Sequence, residues 1–300
     1  MTRLIKSVLA AVALSMVCHG CGTEPTLPGA QAMVGEDGPK GFQFRTISRG
    51  IHVRKYGVFI PMTYRQSKKY PVIVYLHGIG ESQGLGEGDG KNLNVGLGPS
   101  VAFQKDTFPF IVIFPQCDGK WDPNSVYADD VIAALDDVVK NYSVDQDRVT
   151  LTGTSIGGYG AYAIGAKYHD RFAAIVPLCS NELDLSDVPS LTKVPVRAYV
   201  SASGDMFAGT HDQEMVEAIS AHGGKAEFIV TPTVGHNCWD YVYSRPELFA
   251  WIAQQRRRPT TDATAVIARK PPQTPVGGPI QRVASPVRPE TNLIFPGTSY

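Results

Sequence analysis

Short runs of apolar residues recur along the middle of the chain, and most of them are continuous rather than alternating with polar residues. A continuous apolar run of this length is typical of a strand that is covered on both faces of a sheet. Two earlier stretches alternate instead and meet at Arg49-Gly50, which predicts an antiparallel pair joined by a tight turn. The predicted strands are FQFRTIS and IHVRKYGVFIP between residues 42 and 61, PVIVYL (71–76), FIVIFP (110–115), RVTLTG (148–153), FAAIVPL (172–178), PVRAYVSA (195–202) and AEFIVT (226–231).

Segments with helical spacing of apolar residues lie between these runs. In the first of them, Val131, Ile132, Leu135 and Val138 share one face of a helix. Strands that alternate with helices form a mostly parallel central sheet with helices on both faces, so the predicted fold class is α/β. The stretch 180–193 is short and polar, and no large cap domain is expected there. The predicted helices are 127–141, 156–168, 213–221 and 241–255.

The two ends of the chain differ in composition from this middle part. Arg3 and Lys6 precede an apolar run at 8–17, which is too short to span a bilayer and is typical of a secretory signal. Gly20-Cys21-Gly22 is similar to the processing site of a bacterial lipoprotein, and cleavage after Ala30-Gln31-Ala32 is the alternative. We therefore expect an exported protein that is periplasmic, anchored through a lipidated Cys21, or secreted. The predicted divisions are a signal peptide at 1–21, a linker at 22–40, a folded domain at 41–257 and a Pro-rich disordered tail at 258–300.

Composition and charge exclude some classes of function. Of the 300 residues, 43% are hydrophobic, which is ample for a globular core. The formal net charge is zero, so nothing indicates binding to nucleic acid, and a neutral or amphipathic substrate is expected. Removal of the signal leaves Cys117, Cys179 and Cys238 of five cysteines, an odd number that allows one disulfide without indicating which pair forms it.

One stretch carries the strongest indication of chemistry. Gly153-Thr154-Ser155-Ile156-Gly157 fits the pattern G-x-S-x-G between a predicted strand and a helix of small residues. A strand, sharp turn and helix in this order form a nucleophile elbow, in which the serine hydroxyl projects above the sheet and only glycine leaves room beside it. The chain holds 30 glycines, so the pattern also arises by chance and its context has to decide. We interpret Ser155 as a catalytic nucleophile.

A serine hydroxyl needs a base that takes its proton and an acid that orients the base. After an elbow of this kind the acid and then the histidine follow late strands. Asp205 follows the strand at 195–202 and His236 lies just past the last predicted strand, so we interpret them as acid and base. Asp212 is the main alternative acid, but it starts a helix and is interpreted as a cap or first-turn charge. Asp184 and Asp187 follow an earlier strand and are weaker alternatives.

The negatively charged oxygen that forms when a serine attacks a carbonyl group needs two backbone donors. The N–H of Ile156 is one candidate, and Ile79 in the turn after the strand 71–76 is the other, with His77 holding the loop's shape. A loop that needs only flexibility is the alternative. Three aromatic residues are candidates for lining the substrate cleft, with ordinary core or rim packing as the alternative: Trp121, Tyr159 and Trp239.

Motifs for other kinds of site are incomplete. Between Gly84 and Gly98, the pair Gly90-Lys91 is followed by Asn92 where a phosphate-binding loop needs Ser or Thr. No grouping of His and Cys has the spacing of a zinc site. The sequence therefore predicts neither a metal nor a cofactor.

Five stretches spread over about residues 50 to 255 resemble the esterase branch of the α/β-hydrolase superfamily. The likeness is greatest to the phospholipase/carboxylesterase-like group, which includes predicted peptidases and is related to polyhydroxybutyrate depolymerases and feruloyl esterases. The resemblance implies an α/β-hydrolase fold with Ser155, Asp205 and His236 as its catalytic triad. One departure is that the group's acid usually lies in His-Gly-x-x-Asp, whereas here it lies in Ser203-Gly204-Asp205. The matching stretches are YLHGIGES (75–82), IFPQCDGKW (113–121), GTSIGGYGAY (153–162), IVPLCS (175–180) and VGHNCWD (234–240).

These patterns predict an exported serine hydrolase that cleaves carboxylic esters through an acyl-enzyme intermediate. Short-chain or polymer-linked esters are favoured because no cap is expected to close the cleft. A serine peptidase of the same fold and a non-catalytic surface lipoprotein with a binding role are the alternatives. The expected partners are the ester substrate and, through Cys21, a membrane.

Overall fold

The computed structural model describes residues 33–35, 38–82, 91–205 and 209–257. The predicted signal at 1–21, with Cys21, and the predicted tail at 258–300 lie outside the described residues, as does the alternative processing site at 30–32. Across the described ranges, no helix is both long enough and apolar enough to cross a membrane.

One sheet organises the described residues. Its strands are β1 (Met33–Gly35), β2 (Gly38–Arg49), β3 (His52–Ile60), β4 (Tyr70–Leu76), β5 (Ile111–Phe114), β6 (Val144–Thr154), β7 (Ala174–Leu178), β8 (Val196–Ser203) and β9 (Ala226–Val234). Their spatial order is β1-β2-β3-β5-β4-β6-β7-β8-β9. Along this order, the pairs β1-β2, β2-β3 and β3-β5 are antiparallel. The pairs β5-β4, β4-β6, β6-β7, β7-β8 and β8-β9 are parallel. The predicted α/β class with a mostly parallel sheet is confirmed.

Helices cover both faces of the sheet. They are α1 (Leu97–Phe103), α2 (Val126–Asn141), α3 (Ile156–Lys167), α4 (Val188–Leu191), α5 (Gly209–Ala221), α6 (Trp239–Tyr243) and α7 (Pro246–Gln254). Apolar side chains of α2, α3 and α5 pack in one buried cluster, and those of α1, α6 and α7 pack in a second. The described connection from β7 to β8 holds only a 3₁₀ turn and the four-residue α4, so it is too short to form a cap over the strand ends.

The apolar runs became strands for the reason expected from their pattern. Val72 to Leu76 in β4 and all four residues of β5 are fully buried, because helices cover both of their faces. The alternating pair also formed as predicted, with Arg49 of β2 opposite His52 of β3 and the turn between them.

Three details correct the predictions. The expected linker at 22–40 contains β1 and the start of β2, because a backbone ladder forms there without any apolar pattern. The predicted helix at 241–255 is two helices, α6 and α7, since Pro246 lacks an N–H and holds Arg245 in extended backbone. Helix α1 was not predicted, because Gly98 and Pro99 hide its apolar spacing.

Candidate active site

The three predicted catalytic residues follow strands in the parallel part of the sheet. Ser155 follows β6, and Asp205 and His236 follow β8 and β9. The carboxyl ends of parallel strands meet at one edge of a sheet, where open α/β proteins bind their ligands. His77 reaches the same edge from the end of β4, which is the direct neighbour of β6.

Ser155 occupies a strained turn between β6 and α3. Its φ of 57° and ψ of −119° lie outside the regions that non-glycine residues prefer. The turn is held on both sides, since the Ser155 N–H donates to the carbonyl of Leu178 at 2.9 Å and the Gly158 N–H donates to the Ser155 carbonyl at 2.8 Å. The predicted sharp turn between strand and helix is therefore present.

The glycines of the motif are needed for space. A Cβ on Gly153 would lie 2.1 Å from the carbonyl oxygen of Gly157, and a Cβ on Gly157 would lie 2.1 Å from the carbonyl oxygen of Leu76. Farther along α3, a Cβ on Gly160 would lie 2.4 Å from Trp121 Cβ. Helix α3 therefore approaches the sheet more closely than any larger side chain would allow.

Ser155, His236 and Asp205 form a continuous hydrogen-bonded chain. His236 Nε2 lies 2.9 Å from Ser155 Oγ, and His236 Nδ1 lies 3.0 Å from Oδ2 and 3.1 Å from Oδ1 of Asp205. A carboxylate only accepts, so Nδ1 carries the hydrogen and Nε2 is left to accept from the serine hydroxyl. This arrangement can remove the serine proton and stabilise the imidazolium that results.

The two turns behind the acid and the base are locked together by glycines with positive φ. Gly204 has φ 75° and Gly235 has φ 84°, and the Gly235 N–H donates to the carbonyl of Ser203 at 2.8 Å. Asp205 is almost fully buried by its surroundings, while the side chain of His236 is 32% exposed. The imidazole therefore faces the open side of the site, and the acid lies behind it.

The loop after β4 is held by His77, as predicted. His77 is fully buried; its Nδ1 donates to the Gly78 carbonyl at 2.8 Å, and its Nε2 accepts from the Cys117 N–H at 3.1 Å. A Cβ on Gly78 would lie 3.7 Å from Ser155 Cβ, so this loop passes directly beside the serine. The N–H groups of Ile79 and Ile156 remain the predicted oxyanion donors, and Ile156 opens α3, where an N–H has no acceptor inside the helix.

Trp121 corrects the predicted cleft lining. Its side chain is fully buried, its Nε1 donates to the His77 carbonyl at 2.9 Å, and its ring packs edge-on against His77 at 4.9 Å between centroids. The sequence cannot show that α3 lies against this indole through Gly160. Trp121 therefore supports the His77 loop from below and cannot touch a substrate.

Tyr159 and Trp239 are each partly exposed at the site. The ring of Trp239 stands perpendicular to that of His236, with centroids 5.3 Å apart. Tyr159 lies one turn into α3, and the ammonium of Lys120 lies 4.4 Å from the centre of its ring while pairing with Glu182. Trp239 therefore lies beside the base, and Tyr159 lies beside the ion pair of Lys120 and Glu182, which the sequence did not indicate.

Asp212 was interpreted as a cap or first-turn charge, and it does lie in the first turn of α5, but not as a solvated charge. The side chain is fully buried and accepts hydrogen bonds from the Ser180 N–H at 2.8 Å and from the Tyr162 hydroxyl at 2.9 Å. Burial raises the pKa of Asp212 to about 8. No local pattern could show this, because Tyr162 and Ser180 reach Asp212 only through the packing of α3 and β7 against α5.

The weaker acid alternatives do not join the histidine. The Asp184 carboxylate accepts from the Ser186 N–H at 2.9 Å as the cap of a short 3₁₀ turn. Burial, followed by the charge of Asp184, raises the pKa of Asp187 to about 7. Asp205 is the acid that His236 contacts.

Cys179 also lies close behind the triad. Its sulfur and the ligand atoms of Asp205 and His236 all lie within 4.8 Å of one another. The carboxylate and Nδ1 are already joined by hydrogen bonds, so the arrangement fits a proton relay better than a set of metal ligands.

Comparison with known proteins supports the fold. The prolyl oligopeptidase family matches residues 116–181. The structure is similar to a thermostable esterase, with a TM-score of 0.59 and 22% identity over 72% of this chain and 63% of the esterase. It is also similar to the fluorophosphonate-binding serine hydrolase F of Staphylococcus aureus, with a TM-score of 0.56 and 15% identity over 73% of this chain and 100% of that one.

A third similar structure is a feruloyl esterase module from Clostridium thermocellum, solved as a mutant in complex with sinapinate. Its TM-score is 0.52, with 18% identity over 68% of this chain and 84% of the module. The chain has the α/β-hydrolase fold, as the resemblance of its motifs implied. The hydrogen-bonded serine, histidine and aspartate, with the serine inside the matched range 116–181, support a serine hydrolase.

Proposed function

We propose that this protein is an exported serine hydrolase that cleaves carboxylic esters through an acyl-enzyme. The observation that carries the proposal is the chain of contacts from Asp205 through His236 to Ser155 Oγ, built on a strained elbow. Nothing in the fold requires these three polar side chains to meet. Their role in nucleophilic catalysis accounts for all three.

Each of the three side chains has one role in the proposed ester hydrolysis. Ser155 Oγ attacks the ester carbonyl carbon while His236 Nε2 takes the hydroxyl proton, and Asp205 holds the imidazolium in place. The N–H groups of Ile79 and Ile156 stabilise the negative carbonyl oxygen. His236 then returns the proton to the departing alcohol, and a water molecule repeats the sequence to release the acid and restore Ser155.

The surroundings of the serine favour short acyl groups or esters carried on a large molecule. The described loops form no cap, and His236 is 32% exposed, so a bulky alcohol can approach from solvent. Trp239 and Tyr159 offer apolar surface beside the site. The feruloyl esterase module among the structural neighbours acts on an aromatic acyl group by its name, which makes feruloyl esters one substrate class to include.

Peptidase activity is the second candidate, and the match of residues 116–181 to the prolyl oligopeptidase family favours it. Ester cleavage ranks first because an alcohol leaves more readily than an amine. A binding protein without catalysis is the third candidate.

Hydrolysis of p-nitrophenyl esters from acetate to decanoate, of methyl ferulate and of peptide p-nitroanilides separates the candidates. We expect ester hydrolysis that disappears in Ser155→Ala, with Ser190→Ala of α4 as the matched control. Equal activity in wild type and Ser155→Ala would refute the nucleophile. Cleavage of anilides alone would establish the peptidase. A protein inert to all substrates and to a fluorophosphonate probe would favour a binding role.

Membrane attachment through Cys21 is a separate proposal that rests on Gly20-Cys21-Gly22. Incorporation of labelled palmitate into the protein in a bacterial host tests it. We expect labelling in wild type and in Cys18→Ser, and none in Cys21→Ser. Equal labelling of Cys21→Ser, or none in any form, would contradict the anchor and leave secretion or a free periplasmic protein.

A further inference from the structure

Two cysteines touch directly behind the triad. The Sγ atoms of Cys179 and Cys238 lie 2.8 Å apart, although the residues are 59 positions apart in the sequence. Both residues are fully buried in the cluster that α6 and α7 form with the sheet. Cys179 follows the last residue of β7, and Cys238 lies two residues after His236 at the start of α6.

The backbone around each cysteine holds the two sulfurs in this position. The Cys179 N–H donates to the Tyr199 carbonyl at 2.9 Å, and Cys238 Sγ lies 3.7 Å from the same oxygen. Cys179 has φ 48°, which is uncommon for a residue with a side chain. Because the two side chains already meet, a bond between them needs little movement of the backbone.

The backbone at and beside these cysteines contacts Ser155, His236 and the buried Asp212. Leu178, just before Cys179, accepts the N–H of Ser155, and Ser180, just after it, donates to Asp212. The N–H of Cys238 donates to the carbonyl of His236 at 3.2 Å. A bond between the sulfurs would connect the strand end that holds the nucleophile to the loop that carries the base.

We propose that Cys179 and Cys238 are joined by a disulfide that holds the His236 loop against the end of β7, while Cys117 stays a thiol. Cys117 is buried elsewhere, and its Sγ donates to the Gly119 carbonyl at 3.3 Å. This assignment selects one pair from the three that the sequence leaves open.

The bond forms by thiol–disulfide exchange with a small-molecule or protein disulfide. One cysteine thiolate attacks the oxidant to give a mixed disulfide and release one thiol, and the second cysteine then displaces the other. The two cysteines lose two protons and two electrons, and the oxidant becomes two thiols. The hydrogen bond with Cys179, and then burial, raise the pKa of Cys238, so the exchange takes place while the chain folds. It needs an oxidising compartment, in keeping with the proposed export.

A non-reducing peptide map of the full chain, expressed with its own N-terminus and alkylated under denaturing conditions, tests the bond. We expect one cross-linked pair of peptides containing Cys179 and Cys238, and an alkylated Cys117. Alkylated Cys179 and Cys238, or a link through Cys117, would overturn the proposal. This result does not depend on whether the protein cleaves esters, so a failure of the proposed function would remain distinguishable.

The effect on the site is measured by adding a reductant to wild type and to Cys117→Ala. We expect Tm to fall by about 5 to 15 °C in both proteins, because a cross-link that closes a loop of this length restricts the unfolded chain. For an ester substrate, kcat should fall several-fold, since reduction releases the loop that carries His236. A Cys179→Ala/Cys238→Ala double variant should show no response to reductant.

If that double variant does not fold, the wild-type response decides alone. An unchanged Tm in wild type after complete reduction would overturn the stabilising role of the bond. A fall in Tm with kcat and KM both unchanged would overturn its role in positioning His236.

Discussion

His236 Nδ1 lies 3.0 Å from Oδ2 of Asp205, whereas the other buried carboxylate of the region, Asp212, is bonded to Tyr162 and Ser180. Among the candidate acids, Asp205 is the one in contact with the imidazole, and we predict that it orients the base. Asp205→Asn should lower kcat by about 10⁴-fold, because the amide favours the wrong tautomer of the imidazole. Steady-state kinetics on an activated ester measure the effect.

The matched control for this variant is Asp184→Asn, which changes a carboxylate that caps an exposed turn. Its kcat should stay within about twofold of wild type. A large loss in Asp184→Asn together with a small loss in Asp205→Asn would show that the acid had been assigned to the wrong strand.

Gly157→Ala tests the space at the elbow. The added Cβ would lie 2.1 Å from the backbone carbonyl of Leu76, so the variant should lose about 3 kcal/mol or more of its free energy of unfolding. Gly209→Ala is the control, because its Cβ would meet no atom within 4 Å. Urea unfolding of both variants measures the difference, and similar stabilities would contradict the close approach of α3 to β4.

Asp212→Asn tests the buried carboxyl. Its pKa is raised from 3.8 to about 8, so the folded protein holds a proton there that the unfolded chain releases. The stabilisation from that proton is complete below about pH 4 and is lost as pH rises to about 8. Asn resembles the protonated acid, so the variant should lose less stability than wild type over this range, by on the order of a few kcal/mol.

Urea unfolding at pH 5, 6, 7 and 8 measures the slope for wild type and Asp212→Asn. Asp136→Asn is the control, because this residue is exposed and pairs with Arg171 at the surface. Parallel curves for wild type and Asp212→Asn would show that Asp212 is ionised in the folded protein throughout.

Trp121→Phe tests whether Trp121 contributes to the stability of the fold rather than to substrate binding. Trp121→Phe removes the donor to the His77 carbonyl and should cost about 1 to 3 kcal/mol of the free energy of unfolding, with KM unchanged.

Tyr159→Ala should raise KM by about tenfold, since a partly exposed ring lost from the cleft is worth about 1 to 1.5 kcal/mol. A raised KM in Trp121→Phe alone would restore the original prediction for the indole.

The elements whose signals are local were predictable. The apolar run at 71–76 became β4, and G-x-S-x-G became the turn between β6 and α3, because each pattern describes the conformation and burial of neighbouring residues. The predicted acid and histidine also lie in contact, since a parallel sheet brings late strand ends together, and their catalytic roles stay predictions.

Residues whose roles depend on contacts between distant elements were not predictable. Asp212 has the sequence position of a cap or first-turn charge, yet Tyr162 of α3 and Ser180 after β7 reach its buried carboxylate. Trp121 is an aromatic residue of the kind that lines clefts, yet α3 covers it, because Gly160 lets the helix approach. The identity of a residue and of its sequence neighbours does not indicate which distant segment will pack against it.

The amino-acid sequence by itself determined the α/β class, most strands and helices, and the candidate nucleophile, acid and base. Periodicity and turn chemistry act over a few residues, so they can be recognised without knowing what lies across the sheet. Only the tertiary structure decided that His77 rests on Trp121, that Asp212 is buried, and that Cys179 rather than Cys117 meets Cys238. Each of these contacts joins segments that are distant in the sequence, so it depends on the order of strands in the sheet and on the packing of helices against it.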